Sequence, residues 1–136
     1  MLSSIAMVAL GGALGALGRF GLSHLSKQVI DDAMPAATLA VNLIGCFAAG
    51  FLVRALAGPW HMPDHMRLGL MVGLLGGLTT FSAFGIETVR MLEAGRWVWV
   101  MGFVMANVAG GIACVMVGQV VARVVLGIEP AVPTPG

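Results

Sequence analysis

The chain is short of charge, of cysteine and of one aromatic residue altogether. Only 10% of its 136 residues are charged, against about a quarter in soluble domains, which excludes a core wrapped in a charged shell. The net charge of +1 leaves no basic surface for a nucleic acid. Tyrosine is absent, so no phenol donates a hydrogen bond anywhere. The two cysteines, Cys46 and Cys114, fall inside apolar segments and read as small packing residues. A disulfide between them stays open, because sequence gives no distance. The basic region and Ala-x-Ala site of a cleaved leader are missing, so the first apolar run is expected to remain as a span. His24, His61 and His65 have no metal-ligand spacing: the last two are four apart, but Pro63 stands between them. With no Ser/His/Asp arrangement and no phosphate loop, an enzyme is not expected.

What is abundant is apolar. Hydrophobic residues make up 59% and mean hydropathy is +0.99. Since a span needs about 20 apolar residues, there is room for a single small membrane bundle over residues 1–126. Four segments are expected at about 4–24, 35–56, 66–92 and 97–125, followed by a disordered, proline-rich tail at 127–136. The first carries Gly11, Gly15 and Arg19 at four-residue spacing, beside Gly12 and Ala16. Small residues so spaced let membrane helices approach closely. Arg19 either snorkels toward the interface, where Lys27, Asp31 and Asp32 follow, or makes a structural or gating ion contact. The second segment places Thr38, Asn42, Cys46 and Gly50 on one face. Asn42 is either inter-helix glue or a pore lining, its amide N–H₂ being an anion donor. The fourth opens with Trp97 and Trp99, an interfacial belt. Gly102, Ala106, Gly110, Cys114, Gly118 and Ala122 then form a stripe that predicts a tight seam, with Asn107 beside it.

The third segment contains the run 69–84, GLMVGLLGGLTTFSAF, with Glu87 shortly after. Gly76-Gly77 beside two threonines and a serine predicts a helix broken near its middle. Non-helical backbone at membrane depth is tolerated only where protein buries it or a water-filled cavity borders it. Carbonyls released there become ligands for a hard cation. Phe81 and Phe84 share a face if the helix resumes after Thr80, and ring edges are electropositive. Thr80 and Ser82 offer hydroxyls, unless these bond back to the preceding turn. Glu87 is an intramembrane carboxylate, either functional or a partner for Arg19, Arg90 or a backbone donor.

Four spans put both termini on one side. Arg54, Arg67 and Arg123 then face Lys27, Arg90 and Arg96 across the bilayer, with Arg19 joining the latter if it snorkels. So even a count gives almost no positive-inside bias. An antiparallel homodimer is the expected consequence.

Three motifs in order carry a family resemblance. They are Gly11-Gly12-x-x-Gly15-Ala16-x-x-Arg19-Phe20, then Thr38-x-x-x-Asn42-x-x-Gly45-x-Phe47-x-x-Gly50. The third is Gly73-x-x-Gly76-Gly77-x-Thr79-Thr80-Phe81-Ser82-x-Phe84, with Glu87 and Thr88. Across nearly its whole length the chain resembles the Fluc, or CrcB-like, family of small fluoride channels. That resemblance implies a dual-topology homodimer in the bacterial inner membrane, with two antiparallel pores that leak fluoride passively out of the cell. It also implies a structural sodium ion, held by backbone carbonyls of Gly76 and Thr79 from both subunits. Phe81 and Phe84 would turn ring edges to fluoride, Asn42 would donate to it, and Thr38, Thr80 and Ser82 would belong to the polar track. Arg19, Glu87 and Asn107 would serve structurally or in gating. The chain departs from the family at Ala83, where a hydroxyl is usual, and at Phe20 and Phe103, where tyrosine is common; Asn107 stands where a small hydroxyl residue is expected. The alternative reading is a small multidrug-type proton-coupled exporter. It needs a carboxylate in the first span, where this chain has only Arg19.

Overall fold

The computed structural model describes residues 1–29 and 35–128, with side chains omitted at 26–29. Among the described residues there are four helical segments long and apolar enough to cross a membrane, and no strand. Helix α1 is Leu2–Val29 and α2 is Ala36–Ala57, which Pro35 precedes and Gly58 ends. The third span is assembled from pieces. Helix α3, Asp64–Leu68, passes into π-helical turns at Gly69–Leu75 and then α4, Gly76–Leu78. Two residues later α5 begins, Phe81–Glu93. Helix α6, Trp97–Leu126, is the fourth span.

Close approach, permitted by glycine, organises the packing. Helix α1 lies chiefly against the first half of the third span, and α2 against α6. A Cβ at Gly11 would collide with the Gly69 carbonyl, and one at Gly15 with that of Leu74. In the other pair, Gly50 abuts the Val115 carbonyl, and Gly118 that of Phe47. Contact positions rise together along the two chains, so α2 and α6 run parallel. The every-fourth stripe of α6 is only partly in this seam. Gly118 and Ala122 are buried, whereas nothing lies within 4 Å of a Cβ at Gly102. Helical geometry gives the reason: four residues advance by about 400°, so such a stripe drifts roughly 40° per step. Over six positions it leaves the seam, and Phe103 and Gly111 take the buried places.

The core is correspondingly small. Met91, Val100 and the fully buried Phe103 form its centre, packed by Leu39, Phe84, Leu92 and Val104. Outside it, Leu10, Leu14, Leu17, Val98, Met105 and Val124 all face outward, as a lipid environment requires. Gly95 (φ 70°) makes the turn into α6, where the Arg96 guanidinium sits 5.5 Å from the Trp99 ring centre. Gly127 (φ 63°) closes α6 in the left-handed region, and Ile128 N–H donates to the Arg123 carbonyl. The expected tail is thus ordered through these two residues; positions 129–136 lie outside the described residues, as do Asp31 and Asp32.

Candidate functional site

The polar residues of α2, the third span and α6 converge where α4 gives way to α5. Thr79 (φ −75°, ψ 153°) and Thr80 (φ −148°, ψ 113°) are both extended. Each threonine uses its hydroxyl differently. Thr79 Oγ1 donates back to the Leu75 carbonyl at 2.9 Å, so here the bond to the preceding turn is made. Thr80 instead caps α5, its Oγ1 accepting from Ala83 N–H at 3.2 Å. Loss of such a cap costs about 1 kcal/mol.

Asn42 holds the extended residue in place. Its Oδ1 accepts from Thr80 N–H at 2.8 Å, and its Nδ2 donates to the Thr80 carbonyl at 3.3 Å. The amide thereby imitates a neighbouring peptide. Its other N–H donates to Asn107 Oδ1 at 2.9 Å, and Asn107 Nδ2 in turn donates to the Phe103 carbonyl at 2.9 Å. Two consequences follow for the carbonyls. In an unbroken helix Thr80 N–H would serve Gly76 and Ala83 N–H would serve Thr79. Both donors are spent elsewhere, on Asn42 and on the Thr80 hydroxyl. Gly76 and Thr79 are therefore the two carbonyls whose helical partners have been diverted, which suits a hard cation. Among the described residues no cluster of three His, Cys, Asp or Glu side chains offers another metal site.

A groove of about 250 Å³ opens beside this point, lined by Asn42, Cys46, Thr79, Thr80, Phe81, Phe84, Asn107 and Val108. None of these carries a formal charge. Phe81 and Phe84 do share a face, with ring centres 5.4 Å apart, and Phe84 lies 5.4 Å from Phe103. The three descend from outside to inside: Phe81 is 83% exposed, Phe84 half-buried, Phe103 fully buried. Thr80 Oγ1 and Ser82 Oγ are 3.3 Å apart; one hydroxyl donates to the other, leaving one O–H for a ligand.

Below the rings a second polar pair spans α2 and α5. Thr38 Oγ1 donates to Glu87 Oε1 at 2.9 Å, while Glu87 Oε2 is buried without a partner. Thr38, not Arg19 or Arg90, is thus the partner of this carboxylate. Arg19 is half-buried and makes no ion pair or hydrogen bond with any described residue. Asn42, Thr80, Ser82, Phe81, Phe84 and Asn107 are brought together; Arg19 is not among them. Cys46 and Val108 also line the groove, the former signalled by its place four residues after Asn42. Both cysteines are free thiols.

Comparison with known proteins follows from this geometry. The family described as CrcB-like protein, Camphor Resistance (CrcB), matches residues 6–119. The chain is 37% identical over 117 residues to a fluoride-specific ion channel FluC of Chloroflexus aurantiacus, covering 86% of this chain and 93% of that one. It is 40% identical over 122 residues to a FluC of Geobacter sp. (strain M21), covering 90% and 98%. To that of Chelativorans sp. (strain BNC1) it is 42% identical over 124 residues, covering 88% and 96%.

Proposed function

This chain belongs to the CrcB-like protein family, a family of fluoride channels rather than enzymes, and we propose that it is itself a fluoride-selective channel releasing fluoride passively across the bacterial inner membrane. The observation that carries the reading is the charge-free groove beside Thr79-Thr80, which gathers amide, hydroxyl and ring-edge donors on one wall. Fluoride is small and strongly hydrated, so a dehydrated route must replace several water contacts. Fixed cations would trap it, whereas neutral donors release it again. The O–H left over from the Thr80–Ser82 pair and the second N–H of Asn107 are the donors available in one protomer. Asn42 differs from expectation, since both its N–H groups are engaged within the chain. It reaches fluoride only by exchanging the 3.3 Å bond to the Thr80 carbonyl, the weaker of the two. Phe81 and Phe84 present positive ring edges to the passing anion.

The proposal extends to the assembly. Two copies inserted antiparallel give two pores, each drawing its phenylalanines from both subunits. Gly76 and Thr79 of each copy would hold the central sodium, whose chemistry there is to satisfy carbonyls that lipid cannot. Thr38 continues the polar track below Phe84, with Glu87 held by its hydroxyl. Liposomes loaded with fluoride and containing the purified chain test the function directly. Rapid efflux without an imposed proton gradient is expected; proton-coupled cation uptake with no fluoride efflux overturns the reading. Replacing sodium by potassium in all buffers is expected to weaken dimer recovery in detergent, and unchanged recovery would remove the sodium from the scheme.

A further inference from the structure

Cys46 and Cys114 stand on the two helices that share the closest seam. Cys46 lines the groove, and its Sγ lies 3.3 Å from the point where a Cβ at Gly111 would stand. The missing side chain lets sulfur rest against the backbone of α6. Cys114 follows Gly111 by three residues and so occupies the same helical face, one turn further on. The two thiols are near enough to interact electrostatically, yet both are free.

Paired thiols at a seam are ligands. No third His, Cys, Asp or Glu joins them among the described residues, which excludes the four-ligand tetrahedral site of zinc. What remains is a soft cation content with two thiolates. We propose that Cys46 and Cys114 form a two-coordinate site for a thiophilic monovalent cation of the Cu(I) and Ag(I) class, and that its occupation closes the groove. On binding, each S–H bond breaks, two sulfur–metal bonds form, and two protons leave to solvent; no electron is transferred. Two thiolates on one monovalent cation leave a net negative charge beside the path of an anion. At ~5 Å and an effective dielectric of about 20, a like charge slows passage by on the order of 100-fold.

The closing clause rests on the fluoride-channel reading, but the site itself does not, and the experiment keeps them apart. Silver nitrate in chloride-free buffer is the probe, being stable to oxidation. First, protection of both thiols from a maleimide is titrated in the purified dimer. One silver per chain is expected to protect both cysteines in the wild-type protein. Cys46→Ser and Cys114→Ser should each weaken protection of the remaining thiol by more than the roughly 10–100-fold lost with an outer-shell partner. Equal protection in the single variants, or no protection at all, overturns the site. Second, fluoride efflux is measured with and without silver, each variant against its own silver-free rate. Loss of silver sensitivity in Cys114→Ser is expected. Undiminished inhibition of the double cysteine variant means silver acts elsewhere, for instance on methionine thioethers, and overturns the closing role. A protein that carries no fluoride even without silver refutes the channel, while thiol protection still decides the metal site.

Discussion

Replacing Asn42 by leucine keeps the volume of the side chain and removes its hydrogen bonding. Three bonds disappear: from Thr80 N–H at 2.8 Å, to the Thr80 carbonyl at 3.3 Å and to Asn107 Oδ1 at 2.9 Å. Thr80 is only 7% exposed, so its N–H has no water to turn to. A buried donor left unsatisfied costs about 1–3 kcal/mol, and the two further bonds add about 0.6 kcal/mol each by membrane-protein averages. Asn42→Leu is therefore expected to destabilise by about 2–4 kcal/mol. Asn107→Leu strips one bond from Asn42 and one to the Phe103 carbonyl, already placed to serve its own helix; its cost should be near 1 kcal/mol. The two variants share a single bond, so the double variant should fall short of their sum by about 0.6–1.7 kcal/mol. Unfolding in mixed micelles, driven by SDS and followed by circular dichroism, measures all three. Equal costs for the two single variants, or additivity within about 0.3 kcal/mol, would refute the idea that Asn42 latches Thr80.

Three further outcomes follow from the same contacts. Phe81→Ile removes the positive ring edge from a side chain 83% exposed in the protomer, so fluoride efflux should drop at least about tenfold with little change in SDS stability; unchanged efflux would move the route away from the rings. Gly118→Val drives methyl groups into the Phe47 carbonyl and should abolish recovery of monodisperse protein, whereas Gly102→Ala, with nothing within 4 Å, should stabilise α6 by about 0.5–1 kcal/mol. Thr38→Val leaves the Glu87 carboxylate without its 2.9 Å donor and should cost about 1–3 kcal/mol. Adding Glu87→Leu should recover most of that loss, and failure to recover it in the SDS titration would show that the pair is not coupled.

Which parts were legible in the sequence depends on whether a signal was periodic. The spans announce themselves by hydropathy, and Pro35, Gly58 and Gly95 punctuate them. The Gly11–Gly15 face of α1 spans only one turn, too short for drift to matter, so its close contact is read correctly from spacing. The six-position stripe of α6 is long enough for the mismatch between 4 and 3.6 to carry it off the seam. Partners resist such reading. Spacing offers Arg19 and Arg90 to Glu87, yet the contact is made by Thr38, 49 positions away. Nor does spacing tell which of two adjacent threonines bonds backward and which caps forward. That choice is made by Asn42, whose amide draws Thr80 into an extended conformation and so frees its hydroxyl for Ala83.

The same contact explains why one copy of the chain is an incomplete object in a membrane. By taking Thr80 N–H, Asn42 deprives Gly76 of its helical donor, and the cap at Ala83 does likewise for Thr79. Nothing lies within 4 Å of a Cβ at Gly76, and Phe81 projects outward beside it. Lipid cannot hydrogen-bond a diverted carbonyl, and each one left so costs several kcal/mol. Water reaches it only if the groove is wet; otherwise another protein surface or a cation must cover it. A second copy related by antiparallel insertion brings the same pair of carbonyls and the same exposed ring, and a cation between them answers four acceptors at once. The proposed dimer and its sodium thus meet a need created inside each protomer, by the residue that also lines its groove.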